Sequence, residues 1–218
     1  MSLTLYFAPG ACSFVPHVLL EMSGAEFEPH MVKLHKGEQN SDEYKAINPR
    51  GQVPVLVNQG QVVTQIVAIA LHLDQLFPQA GFLPTEPIAR AQAISTLAWM
   101  NNTVHPTFTH VFMPQKFTDD EGAQQVIRAF AVNSYRGLLG EIEAMALKAT
   151  PWLAGEQPTA LDAYALTLLR WGGYAGIDPT TLPATWALAQ RFAALPAVAR
   201  VVERERLQLN VYQPPTAA

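Results

Sequence analysis

The apolar positions of this chain change rhythm about a third of the way along. Leu3 to Phe7 is a short apolar run that predicts a strand, and Ala8-Pro9-Gly10-Ala11 ends it. Ser13 stands where it would cap a helix carrying Val15, Val18 and Leu19, and Gly24 where that helix would end on a left-handed residue. Phe27 to Val32 predicts a second strand, pushed to a sheet edge by Pro29, and Ser41 to Ile47 a short helix stopped by Asn48-Pro49. Val55 to Val57, the turn Asn58-Gln59-Gly60 and Gln61 to Val63 predict a hairpin, and a helix from Ile66 to Leu76 follows. The order is βαβ-α-ββα.

Between Phe77 and Pro87 the periodicity stops, and Pro78, Pro84, Pro87 and Gly81 mark a linker. The pattern beyond it is helical throughout. Thr85 would cap a long helix with Pro87 in its first turn, and Pro106 should bend or break that helix by striking the carbonyl of Asn102. Further helices are predicted at about Gly122 to Ala149, Ala160 to Tyr174, Pro183 to Ala194 and Ala197 to Leu207, with a loose tail from Gln213 to Ala218. Thr159-Ala160-Leu161-Asp162 reads as a capping box nucleating the 160–174 helix. The expected division is residues 1–77, a linker at 78–87, and an all-helical domain at 88–218.

Composition narrows the function classes. The chain has 218 residues, 49% of them hydrophobic and 15% charged, and no apolar stretch suited to spanning a bilayer. A net charge of -4, without a Lys/Arg run, argues against nucleic acid or an anionic membrane as partner and leaves a small molecule as the expected one. One cysteine precludes an internal disulfide, and the N-terminus carries no secretory pattern, so a cytoplasmic location is expected. The six histidines form no metal-ligand spacing; His105 and His110, five apart, fall on different helix faces.

Two stretches carry candidate chemistry. In Gly51-Gln52-Val53-Pro54 a proline precedes a strand and cannot donate to a ladder; if the Val53-Pro54 bond is cis, Val53 would offer its N–H and C=O to an extended peptide. Gln65 opens the next helix, whose free N–H groups favour a carboxylate. Cys12 sits at the mouth of the first helix, where the helix terminus should lower its pKa and make it reactive. The plainer reading of Cys12 is a small buried apolar residue.

Tyr6 to Ser13, Asn48 to Leu56 (Asn-Pro-Arg-Gly-Gln-Val-Pro-Val-Leu) and Thr159 to Trp171 together resemble the cytosolic glutathione transferases, closest to their bacterial beta class. The resemblance spans nearly the whole chain and implies an α/β thioredoxin-like domain that binds glutathione, followed by an all-α domain. It implies a homodimer and, as second substrate, a small hydrophobic electrophile. Val53 beside cis-Pro54 would pair with the cysteinyl part of glutathione, next to Gln52. Gln65 and Ile66 would hold the γ-glutamyl end and Lys36 the glycyl carboxylate. Cys12 would lie beside the glutathione sulfur and His105 would approach it from the second domain, with Ser13 the competing activator and N-cap the plainer role for it. Tyr6 is expected in a core or lining role, and Phe108, Phe112 and Trp171 in the electrophile pocket or simply in core.

The sequence departs from the family at Ile66, where Ser or Gly is usual, so only its backbone N–H is available. Gln65 also offers no charge. A lost charge-assisted hydrogen bond would weaken glutathione capture roughly ten- to a hundred-fold. Two rivals to transferase chemistry follow: thiol-disulfide exchange at Cys12, and a non-catalytic carrier of hydrophobic ligands.

Overall fold

The computed structural model describes residues 2–214; the end of the expected loose tail, 215–218, lies outside them. Strand β1 (Leu3–Phe7) is followed by α1 (Phe14–Ser23), β2 (Glu28–Met31), α2 (Asp42–Ile47), β3 (Val55–Asn58), β4 (Gln61–Thr64) and α3 (Ile66–Leu76). The sheet order is β2-β1-β3-β4, with β1 parallel to β2 and antiparallel to β3, and β3 antiparallel to β4. Pro29 thus lies on an edge strand, where a missing N–H costs no central ladder bond. The hairpin turns on Gln59 and Gly60, both at positive φ, the backbone a two-residue turn with the sheet's twist requires. Gly24 ends α1 at φ 71°.

Alternation along β1 fixes which helices cover which face. Leu3, Leu5 and Phe7 point into the main core with Phe14, Val15, Val18, Ile69 and Leu73 of α1 and α3. Tyr6 points to the other face, where Val32, Tyr44 of α2 and Val55 form a smaller cluster. This thioredoxin-like domain leads through a short 3₁₀ turn at Pro78–Ala80 into helices α4 (Pro87–Trp99), α5 (His105–Phe112), α6 (Glu121–Ala146), α7 (Ala160–Tyr174), α8 (Pro183–Ala193) and α9 (Pro196–Arg204).

Three local expectations need correction. The α4 cap is Glu86, not Thr85: its carboxylate accepts from the N–H groups of Ile88 and Ala89 at 3.0 and 2.7 Å, which a hydroxyl one residue earlier does not. Pro106 does not break the helix. Met100–Val104 winds as a π-helical turn, with His105 N–H bonded to Met100 O, and this wider turn joins α4 to α5 while sparing the Asn102 carbonyl the α-helical clash. Ser13 does not cap α1, for the reason given below. The capping box at α7 is present, and Asp162, buried, also accepts from Leu153 N–H at 3.0 Å.

Candidate functional site

The β1–α1 loop places Cys12, and groups from distant elements hold that loop. Ser13, fully buried, turns its hydroxyl back on Ala8, accepting from its N–H at 3.0 Å and donating to its C=O at 3.1 Å. Its one proton is therefore spent inside the loop, and it neither caps α1 nor reaches outward. Gly10, at φ 71°, donates its N–H to Glu205 Oε2 at 2.9 Å, while its C=O accepts from the Trp171 indole at 2.9 Å. A Cβ there would stand 2.9 Å from Arg170 Nη1, an atom that has no hydrogen-bond partner among the described residues. Glu205 is in turn bonded to His17 Nδ1 at 2.7 Å, and His17 Nε2 meets Arg204 Nη1 at 3.0 Å.

Cys12 faces the loop before β3. Its Sγ donates to Val53 O at 3.5 Å, and the Val53-Pro54 bond is cis. That loop is shaped by Asn48, whose amide donates to Gln52 O at 2.8 Å, and by the Tyr44 hydroxyl, which donates to the same carbonyl at 2.9 Å. The expected lowering of the Cys12 pKa is not found. Cys12 is only partly exposed, and loss of solvent around its sulfur pushes the thiol up to about 12, overcoming the backbone N–H groups of Cys12 and Ser13 that pull it down. At neutral pH the side chain is a neutral S–H donor, not a thiolate.

Ile66 is 3% exposed and belongs to the main core, so its bulk does not project from the α3 start. Gln65, exposed, holds φ 73°, a strained backbone for a residue with a Cβ, and makes no side-chain cap. The first α3 N–H groups therefore lack a capping side chain, as an anion site requires. Gln52 is exposed beside Val53, and Lys36 is exposed on the 3₁₀ turn Leu34–Lys36. Tyr6 packs on His30 and Tyr44 at ring-centroid distances of 4.8 and 5.9 Å, on the sheet face away from α1.

His105 meets the Tyr164 hydroxyl through Nδ1 at 2.7 Å and packs edge-on against Trp171 at 4.8 Å, so Trp171 links it to Gly10. Burial lowers its imidazole from 6.5 to about 4, leaving it neutral at physiological pH. Tyr164, fully buried, is held well above its ordinary value first by burial and then by the nearness of Cys12 and Tyr135. Phe108 stacks between Trp171 and Phe112 at 4.7 and 5.5 Å; Phe108 and Trp171 are buried, while Phe112 is 56% exposed. Sequence reasoning missed Tyr164, Glu205, Arg170 and Asn101. Their contacts with 101, 105, 10 and 208 cross dozens of residues or run through the π turn, so no local period reveals them.

A thioredoxin-like sheet, a cis proline before its third strand and a helical domain packed over the first helix define the class. The family model described as "Glutathione S-transferase, N-terminal domain" matches residues 1–75. The chain is similar to glutathione S-transferase GstA of Escherichia coli O157:H7, at 33% identity over 94% of this chain and 99% of that one. Among solved structures it is similar to a Sulfitobacter glutathione transferase homolog with bound glutathione (26% identity, 94% and 99% of the two chains, TM-score 0.89). It is also similar to a beta class glutathione S-transferase of Sphingomonas chungbukensis (28% identity, 94% and 100%, TM-score 0.81). The chain belongs to the glutathione S-transferase family.

Proposed function

We propose that the protein joins glutathione to small hydrophobic electrophiles, with the glutathione sulfur as nucleophile and Cys12 as a hydrogen-bond donor to it. The observation that carries this is the neutral Cys12 thiol, donating to Val53 O at 3.5 Å. In this reading the cysteinyl N–H of glutathione takes the Val53 carbonyl, the Cys12 S–H turns to the glutathione sulfur, and the donated bond favours the thiolate. The thiol proton leaves first, to the neutral His105 or solvent. The thiolate then forms the C–S bond at the electrophilic carbon, whose leaving group departs with the bonding pair or whose activated double bond takes up a proton. A neutral thiol is a poor attacking group, which counts against thiol-disulfide exchange by Cys12 itself. The buried Ile66 side chain removes the main support for a non-catalytic carrier, since the γ-glutamyl end meets backbone and not an alkyl group.

Supporting contacts for the rest of glutathione are the α3 N-terminus at Gln65–Ile66 for the γ-glutamyl carboxylate, Gln52 beside it, and the exposed Lys36 for the glycyl carboxylate. The electrophile would stack near Phe112, at the open end of the Trp171–Phe108–Phe112 row. A homodimer belongs to the same reading. Val126 and Phe130, one turn apart on α6, are 70% and 75% exposed, and apolar side chains left so bare mark an association surface.

Calorimetry near neutral pH tests the first step. Saturable glutathione binding in wild type and in Cys12→Ser, combined with turnover that Cys12→Ala lowers about tenfold and Cys12→Ser retains in part, is the expected result. No binding at millimolar glutathione would overturn it.

A further inference from the structure

Asn101 and His105, four residues apart across the π turn Met100–Val104, lie on one side of the helix, both against Tyr164 of α7. The Tyr164 hydroxyl lies 2.7 Å from His105 Nδ1 and 3.3 Å from Asn101 Oδ1. The Asn101 amide nitrogen donates to Asn102 Oδ1 at 3.0 Å, which leaves Asn101 Oδ1 as the atom facing the phenol. A hydroxyl has one proton and can serve only one acceptor. If Tyr164 gives that proton to His105, two oxygens confront each other at Asn101 with no hydrogen between them. If Tyr164 gives it to Asn101 Oδ1, its own oxygen is free to accept from His105 Nδ1–H, and both contacts are hydrogen bonds. The second arrangement makes a hydrogen bond of every polar contact at the Tyr164 hydroxyl, which is fully buried.

We infer that Tyr164 and Asn101 are positioning residues that fix His105 in its Nδ1–H form, so that Nε2 carries the lone pair and acts as a hydrogen-bond acceptor in the glutathione site. This rests on the reading of His105 as a site residue. The consequence is a division of labour around one sulfur. Cys12 supplies a donor for the thiolate, and His105 Nε2 supplies an acceptor for the thiol proton on its way out. Burial keeps the ring neutral, so the lone pair is present across the physiological range. The π turn lets Pro106 follow directly, because an α-helical path through 100–104 would put the Pro106 ring against the Asn102 carbonyl, and Asn101 and His105, four apart, still share one side of the helix.

The test is nitrogen NMR on protein carrying ¹⁵N-histidine, with the His105 signals identified by their loss in His105→Gln. In wild type, Nε2 of His105 should resonate as an unprotonated, pyridine-like nitrogen and Nδ1 as a protonated, pyrrole-like one. In Tyr164→Phe the acceptor for Nδ1–H is gone, and in Asn101→Ala the phenol proton has no other acceptor and turns to Nδ1. Both changes should move the proton to Nε2, and kcat should fall about tenfold with the KM for glutathione held. Asn101 is partly exposed, so its variant folds without opening the core. A pyrrole-like Nε2 in the wild-type protein, or an unchanged pattern in Asn101→Ala, would overturn the inference. If the tautomer shifts as stated while His105→Gln keeps full turnover, tautomer control stands and the catalytic reading of His105 falls.

Discussion

At the scale of single residues, solvent decides more than sequence position. Cys12 stands at a helix mouth, which alone predicts a low pKa, yet the protein packed around its sulfur outweighs the helix and raises the thiol from 9.0 to about 12. Three units of pKa correspond to a roughly thousandfold smaller thiolate fraction, so iodoacetamide should alkylate the free protein about a thousandfold more slowly than an ordinary cysteine near neutral pH. Alkylation at the ordinary rate would contradict it. His105 behaves as a buried base. Its value falls from 6.5 to about 4, so between these limits the unfolded chain binds the extra proton and the folded one does not. Stability should therefore drop as pH falls from about 6.5 to 4, by on the order of 2 to 3 kcal/mol from this group. Thermal unfolding of wild type and His105→Gln across that window checks it, the variant losing the acid-sensitive part. The residue types of this site were legible in the sequence. Their desolvation was not, and neither was the direction of Ile66, whose side chain looks like an obstruction when read in one dimension and lies in the core in three.

At the scale of elements, the strands and α3 follow from alternation and turn chemistry, and the helix ends follow from caps. What the sequence hid are the exceptions to periodicity. Pro106 reads as a break because an α-helix cannot accept it, but one π turn absorbs it. The β1–α1 loop is the other case. Ser13 looks like a cap by type, yet it satisfies both backbone groups of Ala8 from a fully buried position. Ser13→Ala should destabilise the protein by about 1 to 3 kcal/mol, the range for buried polar groups left unpaired, measured by chemical denaturation. An unchanged midpoint would mean that water or a shifted loop takes over the hydroxyl. Gly10→Ala should lower the midpoint of chemical denaturation by straining the β1–α1 loop, since its φ is left-handed and its Cβ would stand 2.9 Å from Arg170 Nη1; an unchanged midpoint would contradict it.

At the scale of the whole molecule, the two domains share one apolar core. Leu5, Val18 and Leu73 of the first domain join Leu97, Tyr164, Leu168 and Val201 of the second in a continuous cluster. A polar chain, buried at His17 and Glu205 and reaching the surface at Arg204, reinforces the join: Gly10 N–H to Glu205, Glu205 to His17, His17 to Arg204, and Arg204 to Glu21 at 2.6 Å. Removing the carboxylate leaves His17 Nδ1 and the Gly10 N–H without partners, so Glu205→Ala should cost about 3 kcal/mol or more and lower the melting temperature in one transition. Two separate transitions would contradict a shared core. None of this chain was legible in advance, because residues 188 and 195 apart in sequence give no local signal. The exposed Val126 and Phe130 predict a dimer by sedimentation, which Phe130→Glu should weaken.

The central claim is that glutathione brings the nucleophilic sulfur and that Cys12 stays protonated to assist it. Ultraviolet thiolate absorbance, titrated in the free protein and in its glutathione complex, tests it most directly. The account predicts no thiolate in the free protein at neutral pH, and a thiolate signal that appears with glutathione and weakens in Cys12→Ala. A thiolate present in the free protein near neutral pH and abolished by Cys12→Ala would contradict it, making Cys12 itself the nucleophile.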